Sequence, residues 1–122
     1  RPGDGSAFYQ YLRQSGLWPQ AVSAFDPHTE AESFTPFMPV RNVGPGYPPT
    51  MLIHGTADTD VPYEQSALMA EQFREHGIEH RLITLEGIEH GLARMEPSAK
   101  VEVYGEATRF LLDKLGIVSR SR

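Results

Sequence analysis

The chain has 122 residues, no cysteine, and 11 basic against 16 acidic side chains, for a net charge of −5. That length holds one domain of ordinary size, and the absence of cysteine excludes disulfides, thiolate metal sites and cysteine nucleophiles. The acidic balance without any basic run argues against a nucleic-acid partner, and no apolar run reaches the roughly 20 residues that a membrane-spanning helix needs.

In chain order, Arg1–Gly5 is rich in glycine and proline and reads as loose. Ser6–Gln14 is expected to form a short helix, capped by Ser6 or Asp4, with Phe8 and Leu12 on one face and Gly16 as its stop. Leu17–Val22 starts a second turn or helix. From Phe25 to Pro49 six prolines interrupt the backbone, leaving room for one helical turn around Thr29–Phe34. Its apolar residues, Phe34, Phe37, Met38 and Val40, read as a packing surface.

From Pro49 onward the pattern changes. Thr50–Ile53 reads as a buried strand that breaks at His54-Gly55 into a loop holding Asp58 and Asp60. Tyr63–His76 carries Ser66, Met69, Ala70 and Phe73 at helical spacing, with Gly77 as the stop. Glu79–Leu85 alternates like a strand, and Glu86–Pro97 is a loop containing His90. A last helix is expected from Ser98, as its cap, to Leu115, with Tyr104, Ala107, Leu111, Leu112 and Leu115 inward. Strand–helix–strand–helix implies an α/β fold with parallel pairing. Two parallel strands cannot cover both their faces and both their edges, so the chain reads as the C-terminal part of a larger sheet.

Lengths bring the two loops together. A helix of about fourteen residues spans roughly 20 Å at 1.5 Å per residue. A strand of about seven covers roughly the same distance at 3.3 Å per residue. Helix and strand therefore cancel, and the loop after each strand emerges at the carboxyl edge of the sheet, where open α/β sheets place their sites. Asp58 lies in the first loop and His90 in the second. A histidine acting as general base needs a carboxylate on its other ring nitrogen to fix its tautomer.

Asp60 reads as charge near the start of the following helix, and His54 as a local hydrogen-bonding or sheet-packing residue. Glu86 and Glu89 read as solvated. His76 and His80 straddle the Gly77 turn, which breaks the i,i+4 geometry a zinc pair would need, so neither a metal site nor a cofactor is expected.

His54-Gly55-Thr56-Ala57-Asp58-Thr59-Asp60-Val61-Pro62, followed by Glu89-His90-Gly91, resembles the C-terminal end of α/β-hydrolases. The flavour is that of the esterase, acyl-peptidase and dienelactone-hydrolase-like group, including prolyl-oligopeptidase-like catalytic domains. In that family an HG-x-x-D-x-x-V-P segment supplies the triad acid and a histidine after the last strand supplies the base. The resemblance thus implies catalytic Asp58 and His90, and a small-molecule ester or peptide-like substrate. It also implies that residues 1–47 are a helical, Pro-rich cap-like segment and 48–122 the α/β-hydrolase portion. No Gly-x-Ser-x-Gly elbow is present, and every serine lacks that setting. The nucleophile of the expected serine hydrolase therefore lies outside the chain, which is expected to be inactive alone. The alternative is a non-catalytic module that associates through its strand edge, with another copy or with a missing N-terminal half.

Overall fold

The computed structural model describes residues 5–117. The expected loose start, the Asp4 cap and the tail beyond Ile117 lie outside the described residues. The chain divides into two compact units, 1–42 and 43–122.

In the first unit, α1 (Ser6–Gln14) takes Gly5 as its N-cap. Its C-terminus closes through the Gly16 and Leu17 amides onto the Arg13 and Leu12 carbonyls. Of the expected inward pair, Leu12 is buried while Phe8 is exposed. α2 (Trp18–Ser23) begins with Pro19 in its first turn, where proline's missing N–H costs nothing. Tyr9 meets Trp18 edge-on, ring centres 4.8 Å apart. The Pro-rich segment holds more order than one turn. A 3₁₀ stretch spans Ala31–Phe37 and a second spans Pro39–Arg41. The Asn42 side chain joins them, donating to the Thr35 and Met38 carbonyls at 2.7 Å each. Phe34 meets Phe25, whereas Phe37 is exposed.

The second unit is a two-stranded parallel sheet with helical crossover. β1 (Thr50–Gly55) is followed by α3 (Glu64–Glu75), β2 (His80–Leu85) and α4 (Pro97–Lys114). β1 runs two residues past the expected break, because His54 and Gly55 still pair with Thr84 and Leu85. The register has no offset: Thr50 faces His80 and Gly55 faces Leu85, so both strands end level. Among the described residues, no strand pairs with the outer edge of either.

The core sits on α3. Phe73 is fully buried, with its ring 5.2 Å from Tyr47 and 5.6 Å from His80. Met69, one turn earlier, is buried too. α3 ends in a Schellman motif, with Gly77 and Ile78 amides on the Arg74 and Phe73 carbonyls. α4 departs from the expectation twice. It starts at Pro97 with Glu96 as N-cap, so Ser98 lies inside the helix. It also presents a different face: Val103 is buried, while Tyr104, Leu111 and Leu115 are exposed. Apolar residues lie on both sides of this helix, and periodicity alone does not choose between two such stripes. Surface ion pairs, Arg81 to Glu106 at 3.3 Å and Lys114 to Glu79 at 2.6 Å, join α4 to the β2 region. No described helix is long and apolar enough to cross a membrane.

Candidate active site

The level ends of β1 and β2 release two loops side by side. The 56–63 loop carries Asp58 and the 86–96 loop carries His90. Four hydrogen bonds stitch them at the base. The Thr56 and Ala57 amides donate to the Leu85 and Ile88 carbonyls, at 2.9 and 3.2 Å. The Thr56 hydroxyl donates to Glu86 at 3.1 Å and accepts from the Gly87 amide at 2.9 Å. Higher up, Glu89 Oε2 accepts from the Thr59 hydroxyl at 3.2 Å. Glu86 and Glu89 are therefore cross-loop clasps and not merely solvated charges. Residue pairs 30 apart in sequence offer no periodicity by which to find them.

Gly55 sets how closely the loops approach. A Cβ there would lie 1.9 Å from the Ile88 carbonyl oxygen, so only glycine fits. Beyond His90 the backbone turns left-handed: Gly91, Leu92 and Arg94 have φ of 66°, 59° and 62°. For Leu92 and Arg94 this conformation costs about 1–2 kcal/mol each. Such strain gathers where surrounding structure holds a functional loop in place.

Asp58 and His90 meet. His90 Nδ1 lies 2.9 Å from Asp58 Oδ2. The aspartate side chain is only 6% exposed, against 55% for the histidine. Oδ1 accepts the Asp60 and Val61 amides at 2.9 and 2.8 Å. The Asp58 carboxyl is held down to about 2, led by the Val61 N–H, then by His90 and the Asp60 N–H, while desolvation pushes the other way. An ionised carboxylate only accepts, so His90 Nδ1 carries the proton and Nε2 the lone pair. A cavity of about 270 Å³ opens here, lined by Asp58, His90, Glu89, Val61 and Leu92 among others.

The other expected positions fall as follows. Asp60 contributes its backbone amide to the Asp58 turn. His76 and His80 each place Nδ1 2.9 Å from a backbone carbonyl, of Gln72 and Ile78. Among the described residues, no group of three His, Asp or Glu side chains is arranged to hold a metal. His54 is closer to the site than its expected local role implied. Its Nε2 lies 3.1 Å from Asp58 Oδ2, and its Nδ1 2.7 Å from the Ser66 hydroxyl. The only sequence signal for this was the short spacing of His54, Asp58 and Ser66.

Comparison with known proteins agrees with this architecture. The profile of the prolyl oligopeptidase family matches residues 8–118. Among solved structures, the native thermophilic esterase Est2 of the planctomycete Thermogutta terrifontis is 30% identical with a TM-score of 0.58, over 67% of this chain and 30% of that one. Its propionate-bound form aligns at 30% identity and TM-score 0.59, over 68% and 31%. The same esterase phosphorylated by paraoxon aligns at 30% identity and 0.59, over 67% and 32%. The chain therefore spans about a third of the length of these esterases. No curated protein matches it. The open parallel sheet with its helices is part of an α/β-hydrolase core, of esterase- and peptidase-like type, and the chain belongs to the prolyl oligopeptidase family.

Proposed function

We propose that Asp58 and His90 are the acid and base of a serine-hydrolase triad that cleaves carboxylic esters or peptide-like acyl bonds, with a nucleophile from outside these residues. The observation that carries the reading is the 2.9 Å contact between His90 Nδ1 and a buried carboxylate, beside a cavity. Asp58 holds the Nδ1–H tautomer and stabilises the imidazolium. His90 Nε2 takes the serine proton as the hydroxyl oxygen attacks the substrate carbonyl. The same proton passes to the leaving alcohol or amine as its bond to the acyl carbon breaks. Water, deprotonated by His90, then releases the acid and regenerates the serine. The relative's description as an esterase, with a propionate-bound form, supports the ester branch. Residues 1–47, helical and Pro-rich, belong in this proposal as a cap-like segment.

The test is hydrolysis of a short acyl ester by the full-length protein containing this chain. His90→Ala is expected to lower kcat by about 10²–10⁴-fold, and normal turnover by that variant refutes the assignment. The 122-residue chain alone is expected to show no turnover. Among the described residues no strand pairs with the outer edge of β1, which favours a second reading, association through that strand. Under it the isolated chain elutes larger than a monomer, and a strictly monomeric chain counts against it.

A further inference from the structure

Asp58 Oδ2 is shared. His90 Nδ1 approaches it at 2.9 Å and His54 Nε2 at 3.1 Å, while Oδ1 takes two backbone amides. A carboxylate offers about four lone-pair positions, so each position has a donor. His54 Nε2 also lies 3.0 Å from the Val61 carbonyl. Both its neighbours only accept, which assigns the proton to Nε2. In neutral His54 the lone pair is then on Nδ1, where the Ser66 hydroxyl, 2.7 Å away, donates to it. The His54 side chain is 10% exposed, and Tyr63 covers it edge-on with ring centres 5.7 Å apart. Water does not readily replace either partner there.

We infer that Ser66 and His54 are positioning residues: the Ser66 hydroxyl fixes the His54 tautomer, and His54 fixes the rotation of the Asp58 carboxylate, thereby aiming His90. This rests on the reading of Asp58 and His90 as acid and base. The Ser66–His54–Asp58 chain has the composition of a triad but the wrong exposure. His54 lines the cavity and Ser66 does not, so a substrate there meets His90. Ser66 sits in the first turn of α3 and His54 at the end of β1. The arm therefore braces the acid against helix and strand, while the loop amides hold its other oxygen. Rigid elements locate a functional group more closely than loops do.

Nitrogen-15 NMR of the histidine rings in the 122-residue chain tests this. Neutral His54 is expected to show the Nε2–H tautomer, and His90 the Nδ1–H tautomer. Ser66→Ala is expected to abolish the single His54 tautomer, and Ser66→Thr, which keeps the hydroxyl, to restore it. His54→Phe removes one donor from Oδ2 and leaves more negative charge facing His90. The His90 titration midpoint then rises by about half a pH unit; Ser66→Ala moves it the same way by less. Glu89, the other carboxylate at the cavity, is common to all variants. A neutral His54 that carries its proton on Nδ1, or a His90 midpoint unmoved by both Ser66→Ala and His54→Phe, overturns the inference. Ser66→Ala removes one oxygen from a half-buried site, so the test does not depend on His54→Phe folding. Asp58→Asn separates the two levels: if it leaves the His90 titration unchanged, the acid–base pairing fails, whatever tautomer His54 adopts. In the full-length enzyme, Ser66→Ala is expected to lower kcat about tenfold with KM unchanged.

Discussion

Gly55→Ala is the smallest change that should separate Asp58 from His90. A Cβ at residue 55 lies 1.9 Å from the Ile88 oxygen and 2.6 Å from the Ile88 carbon. Both are backbone atoms, so no side-chain rotation relieves the clash. The 1.9 Å contact must open past 3.0 Å, the closest that real Cβ atoms come. That moves the carbonyl by about an ångström and breaks its hydrogen bond from Ala57. Ile88 stands two residues before His90, whose 2.9 Å contact to Asp58 would stretch beyond bonding range. Overpacking of this kind costs about 1–3 kcal/mol. Urea unfolding reads the loss of stability, and the dependence of the His90 titration on Asp58 reads the loss of the pair. Gly105→Ala is the control: its Cβ meets only Arg109, at 3.7 Å, within a helix. It should be neutral or stabilising by up to about 1 kcal/mol. If Gly55→Ala unfolds at the wild-type urea midpoint with the pair intact, steric spacing by Gly55 is wrong.

Phe73→Ala should lower the unfolding free energy by about 3–5 kcal/mol, since the ring is fully buried between Tyr47 and His80; a loss below 1 kcal/mol in urea denaturation would contradict the central place given to it. Asp58 has an ordinary value of 3.8 and a folded value of about 2. Its folded pKa is depressed, so its contribution to stability is fully present above about pH 4 and is lost as pH falls toward 2. Comparing acid unfolding of wild type and Asp58→Asn should show wild type losing more of its stability across that window; parallel curves would refute it. Glu89→Gln replaces a charged acceptor of the Thr59 hydroxyl by a neutral one. Its effect on stability should stay within about 1 kcal/mol, as for exposed polar contacts, and a much larger urea shift would show that the clasp dominates the loop.

Element types and their order were legible because period and punctuation agree. Met69 and Phe73 lie on one helical face, Gly77 ends that helix, and Glu79–Leu85 alternates. The meeting of Asp58 and His90 followed from matched lengths, since α3 and β2 carry the chain out and back by similar distances. Three things were hidden for physical reasons. The α4 face was ambiguous because Val103 and Tyr104 are adjacent apolar residues and packing alone selects one. The Pro-rich segment hid two 3₁₀ stretches, because proline forbids long helices yet suits short ones, as at Pro36 and Pro39. The His54 and Ser66 arm depends on ring rotation and on β1 continuing through Gly55, neither of which hydrophobic pattern encodes.

The level register of β1 and β2 has a consequence for how this segment can vary. Asp58 and His90 are both referenced to the strand ends at Gly55 and Leu85. The turn between α3 and β2, residues 76–79, lies at the opposite margin of the sheet. Residues inserted or deleted there change the connection without altering the distance between the loops, provided the strands keep their pairing. Residues inserted between Gly55 and Asp58, or between Leu85 and His90, displace one partner alone. Residues 50–92 are thus a cassette with one permissive margin and one intolerant margin, and sequence length should drift at the first while staying constant at the second.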